Sequence, residues 1–281
     1  MLHLLEAILL AQLRDDDVVV GLALAEFLSG RGDRVVGCSR SKSSFTHQNY
    51  EHLSVDITDE NSVLQLFFDL AQSGSSVDVL INNAGILRDK SFSKMTLDDF
   101  EMVVNVHLLG AAYCSHAVWP IMREQNYGRI LMTTSPSGLY GNFGQTNYGA
   151  AKMGMLGLMN VLSLEGRSHG IKVNCLSPGA DTRMTALDKE LGINPDKPRP
   201  QSHPKLVTPV ALFLASEQAP TGMVIHGLSG RYLRSETFAN KGIALSPDAV
   251  VEDLVENIDE VLDMSSAKAL SEPGNISLLG N

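Results

Sequence analysis

Tyr148 and Lys152 stand four residues apart in a stretch with helical spacing, which puts both side chains on one helix face. A phenol with a pKa of about 10 is a poor acid or base at neutral pH, but a neighbouring ammonium favours the phenolate and lowers that value. Such a phenol can exchange a proton with a carbonyl or alcohol oxygen. Ser135, just after a strand-like run at residues 129–134, could hold the same oxygen while hydride passes between the carbon and a nicotinamide ring. A Tyr four residues before a Lys is common on any solvated helix, so the pair gains weight only from its surroundings. Asn82-Asn83-Ala84-Gly85 follows another strand-like run, residues 77–81. Small residues there let a flat ligand approach the backbone, and Asn can bond main chain across a sheet. A plain structural turn accounts for these four residues equally well.

These residues need elements to position them. Gly21, Leu24, Ala25 and Leu28 have the spacing of an amphipathic helix, and residues 34–39 read as a buried strand. Helical spacing returns at residues 62–71, a long helix is expected over 102–122, and another over 148–167. Strands are expected at 77–81, 129–134 and 171–176. Strands alternating with helices imply crossover units and a parallel sheet covered on both faces. In such sheets the ligand lies beyond the carboxyl ends of the strands, where Asn82–Gly85 and Ser135 fall. Residues 194–209 hold five prolines, Pro195, Pro198, Pro200, Pro204 and Pro209, and read as a loop or lid. Helices resume at residues 210–215 and 246–264.

Composition narrows the class. The chain has 281 residues, 22 Lys plus Arg against 32 Asp plus Glu, and a formal charge of -10. No segment clusters the cations that phosphate neutralisation needs, which argues against nucleic-acid binding. The apolar start at residues 4–13 is interrupted by Glu6, and no run approaches the roughly 20 residues that span a bilayer, so a soluble, non-exported protein is expected. Cys38, Cys114 and Cys175 are widely spaced with no CxxC pair, which points to a reduced, cytoplasmic setting and no metal site. His107 and His116, on the long helix with Trp119, read as packing or interface residues, because no carboxylate or cysteine spacing accompanies them.

Taken together, Asn82-Asn83-Ala84-Gly85, Asn105, Ser135, Tyr148 and Lys152 stand in an order and spacing that resembles the short-chain dehydrogenase/reductase family over residues 18–240. The resemblance implies an α/β fold, a doubly wound parallel sheet of Rossmann-like type. It implies that Ser135, Tyr148 and Lys152 form the catalytic trio and that Asn105 completes a proton relay by holding a water next to Lys152. It sets Asn83, Ala84 and Gly85 along the cofactor ribose, Pro178-Gly179 against the nicotinamide, and Thr182 on the carboxamide. A homodimer or homotetramer is implied too, because the family buries the 148–167 helix and the one before it against a partner. Within the family, residues 133–148 and 86–92 are similar to the (3R)-hydroxyacyl-CoA dehydrogenase domain of peroxisomal multifunctional enzyme type 2, as is the tail at 222–266. The Asn-Ala-Gly-Ile-x-Arg-Asp pattern also occurs in 3-oxoacyl-carrier-protein reductases. A β-oxygenated acyl thioester is the shared implication.

The end of the second strand bears on the cofactor. An acidic residue there holds the ribose hydroxyls of NAD, whereas here Ser39 is followed by Arg40. An Arg suits a 2'-phosphate, so the resemblance leans to NADP(H), with NAD as the alternative and an ordinary surface charge as the bland reading of Arg40. Asp56 and Ile57 would flank the adenine. The front of the chain departs from the family. Of its glycine-rich phosphate turn only Gly21 remains, and residues 14–20 read Arg-Asp-Asp-Asp-Val-Val-Val. Glycines there permit positive φ and let amides approach a pyrophosphate. Two like charges 4 Å apart cost about 4 kcal/mol at an effective dielectric near 20, and about 1.4 kcal/mol already lowers affinity tenfold. Asp15, Asp16 and Asp17 facing a phosphate would therefore weaken binding severely. Three readings stand open: a misread or frame-shifted start, a rebuilt loop with its carboxylates turned to solvent, or a degenerate member. Leu5, Ile8, Leu9 and Leu13 suit a helix, which would remove the sheet's central strand and leaves that strand uncertain.

The sequence thus leads to a catalytic domain over residues 1–240 with a helical extension over 241–281. Its expected reaction interconverts 3-hydroxyacyl and 3-oxoacyl thioesters with NADP(H). The alternatives are a non-catalytic scaffold of the same fold and a reductase of another carbonyl compound.

Overall fold

In the computed structural model the described residues are 5–10, 20–179 and 203–270, and they divide between two compact units, Met1–Arg234 and Ser235–Asn281. In the first unit the apolar runs form β1 (Glu6–Leu10), β2 (Arg34–Ser39), β3 (Tyr50–Ser54), β4 (Val79–Asn82), β5 (Gly128–Thr133), β6 (Ile171–Gly179), β7 (Val224–Leu228) and β8 (Arg231–Ser235). They make one sheet in the order β3-β2-β1-β4-β5-β6-β7-β8, and the pairs from β3 through β7 are parallel. The turn from β7 to β8, Ser229 and Gly230, has positive φ at both residues, as a two-residue hairpin requires.

Alternate residues of each strand feed two cores. Ile8, Val36, Leu80, Ile130, Met132 and Val173 pack beneath α2 (Glu60–Gln72), α4 (Gly110–Gln125) and α6 (Thr146–Glu165). On the other face Ala7, Leu9, Val35, Val79, Ile81 and Leu131 pack beneath α1 (Val20–Arg31) and α7 (Thr208–Ala215). A sheet buried on both faces is what near-continuous apolar strands dictate.

The open question over the first strand is answered by its neighbours. Residues 6–10 are extended and central, between β2 and β4, not helical. Two carboxylates fix the entry: Asp33, fully buried and paired with Arg31 at 2.7 Å, accepts from Leu5 N–H at 2.9 Å, and Asp78 accepts from Glu6 N–H at 2.9 Å. Burial of Ala7, Ile8 and Leu9 between two strands outweighs a helix preference of a few tenths of a kcal/mol per residue.

Two further expectations change. The long helix over residues 102–122 is α3 (Leu97–Val104), a π-helical turn at Asn105–Leu109, and α4. Gly110 N–H bonds Asn105 O across the turn, and such widened turns recur at functional sites. In the second unit the helix expected over 246–264 is two short ones, α8 (Val251–Glu256) and α9 (Ile258–Leu262), beside an antiparallel pair of β9 (Phe238–Ala239) and β10 (Lys268–Ala269). The break is at Asn257, whose side-chain amide donates to Asp253 O at 2.7 Å, an interaction that competes with the helix ladder. Of the proline-rich stretch, residues 203–209 are described: Pro204–Leu206 is a 3-10 turn and Pro209 lies in the first turn of α7, a position that tolerates proline. The rest lies outside the described residues.

Candidate active site

β5 ends at Thr133, and Ser135 begins α5 (Pro136–Tyr140) as its cap, its hydroxyl accepting from Ser137 N–H at 3.2 Å. α5 then lies against α6. A methyl at Gly138 would approach the Lys152 Cβ to 2.7 Å and its carbonyl carbon to 3.0 Å, so only glycine allows the two helices this close. Thr134 Oγ1 donates to Lys152 O at 2.9 Å and Lys152 Nζ donates to Thr133 O at 2.5 Å. The β5 exit therefore holds the helix that carries Tyr148 and Lys152. The structure places these three side by side: Ser135 hydrogen-bonds Tyr148, and Lys152 Nζ stands 5.5 Å from the Tyr148 ring centre.

Burial dominates the electrostatics of the pair. Burial pushes the Tyr148 phenol up to about 12, the Ser135 hydrogen bond pulling it down and Asp89 pushing it further up. Burial also brings Lys152 down from 10.5 to about 7. The groups that set the Tyr148 pKa here are its burial, Ser135 and Asp89. Desolvation penalises both charged forms, and a lysine close to neutral at physiological pH is a weak source of field for a phenolate.

Asn105 opens the π turn. Its side chain is exposed, whereas His107 of the same π turn is buried, edge-on to the Tyr148 ring at 5.1 Å between centroids. The ring nitrogen Nε2 of His107 meets both Ile86 O, at 2.8 Å, and Ile86 N, at 3.1 Å. A methyl on Gly85 would collide with the imidazole. Sequence reading took His107 for a packing or interface residue; its contacts escaped because Gly85 and Ile86 are remote from it in the chain and no local spacing announces them.

A second missed group is Asn147. Fully buried, it donates to Arg88 O at 3.1 Å and to Asp99 O at 3.2 Å, and its own carbonyl accepts from Tyr148 N–H at 2.7 Å. Gln145 Nε2 donates to Asp89 at 2.6 Å, and Lys90 N–H to Gly144 O at 2.9 Å. The segment after β4 is thereby stapled to the start of α6. The asparagines at the β4 exit bond side chains rather than main chain: Asn82 donates to Ser115 Oγ at 3.3 Å, and Asn83 accepts from Thr133 Oγ1 at 3.3 Å.

Beyond the ends of β2, β3 and β4 lies a cleft lined by Ser39, Arg40, Asp56, Ile57, Ala84 and Gly85, with Cys38, Val55, Thr58, Ile86 and Val106. The predicted adenosine-side residues therefore meet in one cleft. Asp56 accepts from Thr58 N–H and Oγ1 at 3.0 and 2.7 Å, and Arg40 is exposed at the rim. Ile57 and Val106 give this cleft apolar surface beside the Asp56 carboxylate and the Arg40 guanidinium, a lining that fits the adenosine end of a nicotinamide dinucleotide. Gly21 is buried in the first turn of α1, and Pro178 and Gly179 end β6. Asp15, Asp16, Asp17 and Thr182 lie outside the described residues. Among the described residues no cluster of His, Cys, Asp and Glu could hold a metal, and no helix is long and apolar enough to cross a membrane.

The short-chain dehydrogenase family model matches residues 19–192. The chain belongs to that family. As a short-chain dehydrogenase it is an oxidoreductase of the NAD(P)-dependent kind. It is 36% identical over 241 residues to a short-chain type dehydrogenase/reductase of Mycobacterium tuberculosis, covering 85% of this chain and 81% of the relative. It is 40% identical over 222 residues to peroxisomal multifunctional enzyme type 2 of Drosophila melanogaster, covering 76% of this chain and 36% of that enzyme. The solved structure of that full-length enzyme superposes with a TM-score of 0.75 at 29% identity, over 99% of this chain and 49% of that one. The 3-oxoacyl-(acyl-carrier-protein) reductase of Salmonella typhimurium is 34% identical over 228 residues, covering 76% of this chain and 93% of the reductase. This short-chain dehydrogenase thus spans about a third to a half of the Drosophila multifunctional enzyme.

Proposed function

We propose that the chain interconverts 3-hydroxyacyl and 3-oxoacyl thioesters, with the CoA ester as substrate and NADP(H) as the preferred cofactor. The observation that carries this reading is the convergence of Ser135, Tyr148 and Lys152 beside the β5 exit, in a chain whose relatives include a 3-oxoacyl reductase. Tyr148 is the general acid that protonates the forming alkoxide in reduction and the base in the reverse direction. Ser135 directs the same oxygen toward the phenol. Lys152 holds the cofactor ribose, with Asn83, Ala84 and Gly85 along it. Ser39 and Arg40 take the 2'-phosphate, Asp56 and Ile57 flank the adenine, Gly21 lies at the pyrophosphate end, and Pro178, Gly179 and Thr182 meet the nicotinamide. The bound nicotinamide supplies or accepts the hydride.

Titration with NADPH, followed by cofactor fluorescence, tests the reading. Saturable binding is expected. Absence of binding at millimolar cofactor would favour the scaffold alternative, which Asp15, Asp16 and Asp17 support through charge repulsion. Arg40→Ala should raise Kd for NADPH by about tenfold or more while leaving NADH nearly unchanged, since a charge-assisted bond to phosphate contributes about 1.5–3 kcal/mol. Equal losses for both cofactors would remove Arg40 from the 2'-phosphate.

The exposed apolar side chains of Leu97, Met102, Leu109, Met153, Val161 and Leu164, on α3, the π turn and α6, favour a homo-oligomer that buries this part of the surface. Sedimentation equilibrium at micromolar concentration should return a dimer or tetramer. A monomer would refute it.

A further inference from the structure

His107 is enclosed by groups belonging to both halves of the site. On one side it meets Ile86, next to the stretch assigned to the cofactor ribose, and on the other the ring of Tyr148. It is 2% exposed, and its Nδ1 has no hydrogen-bond partner among the described residues. A neutral imidazole nitrogen either donates or accepts, so Nε2 cannot serve Ile86 O and Ile86 N–H at once. The shorter contact, 2.8 Å to the carbonyl, assigns the proton to Nε2. The absent Cβ of Gly85 supplies the room for this ring.

We propose that His107 is a positioning residue that joins the cofactor-lining segment at residues 84–86 to the catalytic phenol of Tyr148, acting as a neutral imidazole that donates to Ile86 O and braces the ring edge-on. The inference rests on the assignment of Tyr148 and residues 83–85 made above. An aliphatic side chain would fill the same volume without the Ile86 bond. A cation there would be desolvated and would face Lys152, and both influences hold His107 well below its ordinary pKa. The neutral form is therefore the working one. His107 touches neither of the reacting atoms and acts through Tyr148 and Ile86.

The test compares the wild-type chain with His107→Leu and His107→Gln, the glutamine amide keeping an N–H donor for Ile86 O. Acetoacetyl-CoA reduction with NADPH is measured alongside amide hydrogen exchange of peptides spanning residues 82–90 and 145–152. For His107→Leu, kcat should fall by about 10- to 100-fold with KM for the thioester unchanged, the loss typical of a misplaced catalytic group. Exchange should quicken in both peptides together, and His107→Gln should recover most of the kcat and the slow exchange. Unchanged exchange in either peptide of His107→Leu, or a glutamine variant no better than the leucine one, would overturn the proposal. A wild-type chain without turnover would sink the thioester reading alone, because the exchange comparison still decides whether His107 couples the two segments.

Discussion

Removing the Tyr148 hydroxyl, in Tyr148→Phe, is expected to lower kcat for acetoacetyl-CoA reduction by about 10²- to 10⁴-fold, the contribution of a positioned general acid. The phenyl ring retains its edge contact with His107, 5.1 Å between centroids. What disappears is the hydrogen bond with Ser135 and the proton itself. A neutral hydrogen bond contributes about 1 kcal/mol, so the melting midpoint should move by only a few degrees and NADPH affinity hardly at all. Turnover retained at wild-type level with NADPH bound would take the acid role away from Tyr148.

The same group sets the sign of the pH dependence. With the phenol pushed up to about 12, reduction finds its acid protonated throughout the neutral range. Oxidation of a 3-hydroxyacyl thioester needs the phenolate, whose fraction rises tenfold per pH unit below that value. The two directions should therefore diverge, kcat/KM for oxidation climbing with pH while Tyr148 imposes no matching loss on reduction. An oxidation rate flat from pH 7 to 10 would show that the phenol ionises far more easily than its burial dictates.

The parts of this arrangement that sequence reading recovered are those written in local spacing. Tyr148 and Lys152 share a helix face because i and i+4 always do, and β2, β4, β5 and β6 are apolar runs too short for buried helices. Ser39, Arg40, Asp56, Ile57, Ala84 and Gly85, named for the cofactor through the family resemblance, stand at or just after strand ends and line one cleft. What escaped depends on contacts remote in sequence. β1 owes its extended form to Asp33, Asp78 and two flanking strands, none visible within residues 4–13. The π turn that buries His107 is an offset that regular helical spacing cannot anticipate. The pKa directions escaped because proximity of Lys152 to Tyr148 is legible in spacing whereas the burial of both is not.

That burial leads to the second large effect, in Lys152→Met. Lys152 is 2% exposed, and its Nζ donates to Thr133 O, 2.5 Å away. Methionine has similar length and no polar head, so the variant should lose turnover by about 10²-fold or more as the ribose contact disappears. It should nevertheless be more stable at neutral pH. Losing one hydrogen bond costs about 0.5–1.5 kcal/mol, whereas burial brings Lys152 down from 10.5 to about 7, so desolvation is the larger influence. A gain of roughly 2 kcal/mol is expected, or about 4–8 °C in melting midpoint for a chain of this size. Its pH signature separates it from general repacking. Below pH 7 the lysine is protonated in both folded and unfolded chains, and the folded state bears the full penalty. Between pH 7 and about 10.5 the unfolded chain binds more protons than the folded one, so stability from this group rises with pH. The stability gap between Lys152→Met and wild type should therefore be widest below pH 7 and close as pH approaches 10. A gap independent of pH, measured by urea unfolding of both chains across that range, would mean that Lys152 is not held deprotonated by the fold.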